Sequence, residues 1–353
     1  MCDSFLSDPL VSNLSTGHND RRVNLTRESH SQGCADRAGA IGGLASALVD
    51  FSGTITCRRL ATMAMLSPMG RSYDTVSLLT DYGLVDEFVG VVKAVIRDIA
   101  PHAQTIDLTH NIAPFDVRAG SLALARCISY IPSGVIVAVV DPGVGGSRKS
   151  IAIEVVAGEA VLVGPDNGLL APAVAMAGGA GRAVVLTNEE YHLQSHGATF
   201  AGRDIFAPVA GHLCNGVDLA ELGQLIDADE LLPGMVPLPR EEPEGLVGEV
   251  LWVDHFGNCQ LNIGPDEIAD WGPKLQVSFG ESQRVATRHH TFADVATGAV
   301  GLVVDSCGML ALVLDQRSAA MDLGIGPGDQ ITLAPLTDSP STGATSPVTL
   351  RAR

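Results

Sequence analysis

GVIVAVVDPGVGGSRKSIAIEV, residues 134–155, is the stretch on which the fold turns. An apolar run ends on Asp141, a glycine-rich turn carries Arg148, and a second apolar run follows. A buried β-strand that stops at a charged residue delivers that charge to the edge of its sheet, where ligands collect in open α/β proteins. What Asp141 and Arg148 do at that edge governs the functional reading.

Upstream, TVSLLTD (75–81) reads as a strand ending on Asp81, and DEFVGVVKAVIRDIAP (86–101) as an amphipathic helix closed by Pro101. AQTIDLTH (103–110) is a short strand and DVRAGSLALARCISYIP (116–132) a second helix. Downstream, AVLVGPDNGLLAPAVAMAG (160–178) gives a strand, turn and helix, and RDIFAPVAGHLCNG (203–216) a helix ended by Asn215-Gly216. This alternation predicts an N-terminal α/β domain over 74–228, a mostly parallel sheet with helices on both faces.

Residues 229–245 are rich in Pro and Glu and read as a linker. From 246 to 336 the pattern becomes many short strands separated by Gly and Asp turns, which predicts an all-β barrel or sandwich. Residues 337–353 read as a tail. Residues 1–70 show no sustained period and read as disordered or as a non-native extension, with Met63, Met65 and Met69 as candidate start sites.

The formal net charge of −18 argues against a nucleic-acid or anionic-membrane partner, both of which reward basic patches. No run reaches transmembrane length, and the N-terminus lacks the pattern of a signal peptide. The seven cysteines (2, 34, 57, 127, 214, 259 and 307) are scattered and include no C-x-x-C pair. That suits a reducing cytoplasm and offers neither a zinc nor a disulfide framework.

GVGGSRKS invites a phosphate-loop reading, but Arg148 stands where the second Gly is required and a strand follows instead of a helix. Asp141-Pro142-Gly143 by itself is equally a turn signal. Helix capping accounts for Asp86 and Glu87. It accounts less well for Asp81, whose carboxylate suits a ribose diol. Phe115, in NIAPFDV, is either a core residue or a stacking platform. In WVDHFGNCQLNI (252–263), Asp254, Phe256 and Asn258 sit in a turn that is either a plain hairpin or a base-binding site. His192, His196 and His212 lack metal-ligand spacing. The adjacent His289 and His290 would diverge on a strand.

In order, the segments LLTDYGLVDEFVG, DLTHNIAPFDV, VVDPGVGGSRKSIAI, GPDNGLL, TFAGRDIFAPVAGHL, VDHFGNCQLNI and DSCG resemble the S-adenosylmethionine (SAM) hydroxide adenosyltransferases, relatives of the SAM-dependent chlorinase and fluorinase. The resemblance spans roughly residues 74–335. It implies an α/β domain joined to a β-barrel, and a trimer with sites between one subunit's N-terminal domain and a neighbour's barrel. It places Asp81 on the ribose hydroxyls, Asp86, Asp254 and Ser306 on the methionine group, Phe115 and Phe256 around the adenine, and Asn258 on its edge. Asp141 and Arg148 match the first two members of an Asp-Arg-His set that handles the attacking water. The third position is Ala201 here, leaving His196, His212 or the Asp-Arg pair alone to serve. Cys307 stands where a halogenase relative carries Arg against the methionine carboxylate.

The implied reaction is hydrolysis of SAM to adenosine and methionine, with SAM as substrate, no cofactor and no metal. The rival readings are a halogenase, against which a carboxylate at position 141 counts, and a non-catalytic SAM or adenosine binder.

Overall fold

The computed structural model describes residues 70–336. The expectations for the N-terminal extension and the C-terminal tail fall on residues outside that range. The first sheet is built from β1 (Thr75–Thr80), β2 (Gln104–Thr109), β3 (Gly134–Val139), β4 (Ser150–Val155), β5 (Ala160–Pro165), β6 (Ala183–Val185) and β7 (Gln224–Ile226), in the order β2-β1-β3-β5-β4-β6-β7. Helices α1 (Phe88–Ile99), α2 (Val117–Cys127), α3 (Ala171–Met176) and α4 (Ala207–Cys214) cover it.

Strand alternation explains the two faces. Val135, Val137 and Val139 of β3 join one apolar core with Val92 and Ile96 of α1 and Val209 and Leu213 of α4. Ile136 and Ala138, with the following Val140, join a second core with Leu124 of α2 and Ala173 of α3. A strand buried on both faces needs apolar residues at every position, which is why β3 reads as a continuous run.

The sheet is mixed, which corrects the expectation of a mostly parallel one. The pairs β1–β2, β1–β3 and β3–β5 are parallel, whereas β4–β5, β4–β6 and β6–β7 are antiparallel. The cause is connection length. Only residues 156–159 join β4 to β5, and a parallel crossover needs about a dozen or more. The chain therefore reverses in a hairpin, through Val156, Ala157 and Gly158 at φ 52°, 52° and 82°.

That hairpin inserts β5 between β3 and β4, so the loop 140–149 arches over the end of β5. Ser150 pairs with Pro165, and Val137 of β3 with Val163. The loop thus closes a gap of two strand spacings, about 10 Å, with its acid at one foot and its arginine near the other.

The second sheet comprises β8 (Arg240–Glu242), β9 (Gly245–Val253), β10 (Cys259–Leu261), β11 (Lys274–Phe279), β12 (Ser282–Arg288), β13 (Val300–Val304), β14 (Leu310–Val313) and β15 (Gln330–Pro335). Seven of these, β9-β10-β14-β13-β12-β11-β15, close on themselves through the β9–β10 pairing, so the domain is a barrel and not a sandwich. Val250, Leu261, Val277, Leu312 and Leu333 fill it.

Three details depart from the sequence reading. The segment taken as linker contains β8, which pairs with the outer edge of β9. His289 and His290 follow the end of β12 and are not on a strand. A short helix, α5 (Ala319–Leu323), is capped by Ser318, whose Oγ accepts the Met321 N–H at 3.1 Å. Among the described residues no helix is long and apolar enough to cross a membrane.

Candidate active site

Asp141 and Arg148 meet as a fork across the loop. Arg148 Nε donates to Asp141 Oδ1 at 3.0 Å and Oδ2 at 2.9 Å, and Nη2 donates to Oδ2 at 2.5 Å. Arg148 Nη1 donates to Ser150 Oγ at 2.6 Å, which anchors the guanidinium to the first residue of β4. The side chains are 5% exposed for Asp141 and 14% for Arg148, so the pair is shielded from solvent screening. The turn between them needs glycine at 145, where φ is 75° and a Cβ would lie 2.6 Å from the Ala198 carbonyl oxygen.

Asp81, one residue beyond β1, accepts the Phe115 backbone N–H at 2.9 Å on Oδ2. Phe115 holds φ at 69° and presents a ring that is 71% exposed. A left-handed bulky residue costs on the order of 1–3 kcal/mol and persists only where its surroundings enforce it. A large aromatic held strained in solvent is unexplained by core packing, so the stacking alternative for Phe115 is the one the geometry favours.

Asp81, Asp86, Phe115 and Asp141 line one cavity of about 660 Å³, within the usual range for small-molecule sites. The capping explanation for Asp86 fails, because α1 begins at Phe88 with no side-chain cap. Asp86 is exposed and faces the cavity.

Tyr82 also lines this cavity and was not singled out from the sequence. Its ring packs edge-on against Phe88 and Phe200, at centroid distances of 5.9 and 5.7 Å. Burial, and then the carboxylates of Asp81 and Asp141, push its ionisation well above the usual phenol range. It stands in the site as a neutral hydroxyl. The only signal in the sequence was its place directly after Asp81.

Arg148 does not line that cavity. With Ser150 and His192 it lines a second one of about 670 Å³, and Ala201 forms part of both walls. Ala201 leads into a π-helical turn, Gly202–Phe206, a local distortion common at functional sites. His196 and His212 line neither cavity. His212 packs edge-on against Tyr191 at 5.0 Å, and burial lowers its pKa. Burial likewise lowers the pKa of His192, whose Nε2 is enclosed without a hydrogen-bond partner among the described residues.

The four residues expected from the barrel lie elsewhere. Asp254, Phe256 and Asn258 form the β9–β10 turn. Asp254 Oδ1 accepts the N–H groups of Phe256 (2.9 Å) and Asn258 (2.8 Å), and its Oδ2 accepts Asn258 Nδ2 at 2.8 Å. Phe256 is 76% exposed, and Ser306 is exposed on the turn after β13. Within one chain none of these four lines the cavity that holds Asp141. Among the described residues no cluster of His, Cys, Asp and Glu is arranged to hold a metal ion.

An α/β domain with a nucleoside-sized, carboxylate-lined cavity, followed by a seven-stranded barrel with exposed aromatic turns, defines a narrow structural class. Residues 76–223 match the SAM hydroxide adenosyltransferase N-terminal domain, and residues 248–332 match the C-terminal domain of the same family. The chain belongs to the SAM hydroxide adenosyltransferase family. It is 44% identical over 256 residues to the (R)-S-adenosyl-L-methionine hydrolase of Salinispora tropica, covering 72% of this chain and 96% of the relative. It is 25% identical over 291 residues to a fluorinase of Nocardia brasiliensis, covering 72% and 94%. An uncharacterized conserved protein from Thermotoga maritima has a crystal structure that superimposes with a TM-score of 0.67 at 36% identity, covering 73% of this chain and 99% of that one.

Proposed function

We propose that this protein is a SAM hydrolase: water attacks the ribose C5′ of SAM in line with the C–S bond, giving adenosine and methionine without a metal or other cofactor. The observation that carries this reading is Asp141, a carboxylate held rigid by a forked arginine at the wall of a nucleoside-sized cavity. In the step, the water oxygen bonds to C5′ and the C5′–S electron pair returns to sulfur. One water proton stays on the new 5′-hydroxyl and the other is released. The leaving group departs as a neutral thioether, so no general acid is required.

Asp141 keeps free lone pairs after binding Arg148 and accepts a hydrogen bond from the water, orienting it toward C5′. Arg148 acts from behind by fixing that carboxylate. Asp81 holds the ribose hydroxyls and Asp86 the methionine amino group, while Phe115 stacks on adenine. Positioning of this kind contributes on the order of 7–11 kcal/mol. A carboxylate beside the nucleophile repels a halide, which argues against the halogenase alternative. The greater identity to hydrolases than to fluorinases runs the same way.

Phe256, Asn258, Asp254 and Ser306 complete the site from the barrel of a neighbouring copy, in a homotrimer. This accounts for the exposure of Phe256 and Ser306 in one chain and for the absence of all four from its cavity. A soluble cytoplasmic setting without nucleic-acid or membrane partners suits a small-molecule reaction and the net charge of −18.

The direct test is incubation with each sulfonium epimer of SAM, with and without halide, followed by chromatography. Equal amounts of adenosine and methionine are expected, with no 5′-halo-adenosine. SAM recovered intact over hours would refute the hydrolase reading, and tight calorimetric binding without turnover would establish a binder. The shared site has its own test. Asp141→Ala and Phe256→Ala chains, each inactive alone, should regain activity when co-expressed, because mixed trimers contain some sites with neither change. No recovery would place the complete site within one chain.

A further inference from the structure

Arg126 occupies the last turn of α2, and its guanidinium lies 4.1 Å from the ring centroid of Trp252 on β9. Trp252 sits two residues before Asp254 and pairs across the ladder with Gln260 of β10. Gln260 Nε2 donates to Asp305 Oδ2 at 2.5 Å, while Asp305 Oδ1 accepts the N–H groups of Cys307 (2.8 Å) and Met309 (3.1 Å). Arg126 therefore lies where the 254–258 turn and the 305–309 turn come together. Cys307, Cys127 and Asp305 are the ionisable groups whose charge acts on it.

Other partly enclosed arginines in this chain are satisfied. Arg148 binds Asp141, Arg203 binds Asp204, and Arg288 donates to the carbonyls of Ile268 and Trp271. Arg126 has neither a carboxylate nor a hydrogen-bond partner among the described residues. Burial pulls its pKa below the ordinary arginine value, the direction expected for a cation lacking compensation. Asp305 acts on it only at a distance, making neither a hydrogen bond nor an ion pair with it while its oxygens accept from two backbone N–H groups and Gln260. With its carbon 4.1 Å from the indole centroid and no hydrogen bond among the described residues, this guanidinium keeps its N–H donors available, and they match a carboxylate in bidentate geometry.

We infer that Arg126 is the anchor for the carboxylate of the substrate's amino-acid arm, delivered from helix α2 to the two barrel turns. The inference rests on the SAM reading and on those turns facing a second copy's cavity. It makes the carboxylate a determinant of specificity: SAM is held more tightly than the same sulfonium lacking that group. Exposed Cys307, which carries no positive charge, cannot supply the contact itself.

The test compares SAM with decarboxylated SAM in the full-length wild type, Arg126→Ala and Arg126→Gln; the Gln variant keeps a planar group over Trp252. Both variants should raise KM for SAM about 10–100-fold, the scale of a hydrogen-bonded ion pair. kcat for SAM, the inhibition constant of adenosine and turnover of decarboxylated SAM should not change. Unchanged KM for SAM, or equal losses for both sulfonium compounds, would overturn the assignment. If the wild type turns over neither compound, the hydrolase reading fails by itself. Calorimetry then decides the anchor: weakened binding of SAM but not of adenosine in Arg126→Gln upholds it, and equal binding rejects it.

Discussion

Asp141→Ala is expected to lose adenosine production by about 10²–10⁴-fold, the range for removing a group that orients or assists the attacking water. Adenosine affinity, measured by calorimetry, should be retained, because the ribose and base contacts come from Asp81 and Phe115. Asp141→Asn is the sharper version. It preserves volume, yet an amide cannot hold Arg148 through two acceptor oxygens, so the water loses its fixed partner. Turnover within twofold of wild type in both variants would remove Asp141 from the chemistry.

Arg148→Ala should be the more damaging change for stability. It strands a carboxylate whose side chain is 5% exposed, and breaking a buried pair by deleting one partner typically costs about 3–5 kcal/mol. In a protein of this size each kcal/mol moves Tm by about 2–4 °C, so scanning calorimetry should show a drop on the order of 10 °C. The double variant Asp141→Ala/Arg148→Ala should be more stable than Arg148→Ala alone, since no unpaired charge is left enclosed. A double variant less stable than both single ones would mean that the loop depends on these residues for packing and not for charge balance. Activity should fall in Arg148→Ala even though Arg148 does not line the substrate cavity, because Asp141 then has nothing to hold its orientation.

Much of this was legible in the sequence because the strands that matter are buried on both faces. β3 appears as an unbroken apolar run leading to Asp141, β1 as a buried strand interrupted only by Ser and Thr and leading to Asp81, and the acids themselves mark where the sheet stops. The direction of β4 was not legible. Its apolar run looks the same parallel or antiparallel, and the deciding feature was the four-residue connection to β5. Local patterning also hid Tyr82 and Arg126. Tyr82 reads as one more aromatic beside a turn, and Arg126 as an ordinary basic residue near a helix end. Their settings depend on contacts with Phe88, Phe200 and Trp252, none of which periodicity reports. Position 201 shows the opposite limit. The missing histidine was plain in the sequence, but only the structure shows that His196 and His212 stand outside both cavities.

The loop over β5 has a consequence for how such a scaffold can change. Its two feet are set by strands that pair with β5 on either side, and the strand ladders themselves contain none of the loop's residues. Residues 141–149 therefore behave as a cassette. Outside Gly145 and the Asp141–Arg148 pair, its content is free of the ladder hydrogen bonds that set the register beneath it. The choice of nucleophile at the cavity wall becomes an inheritance separable from the fold that carries it.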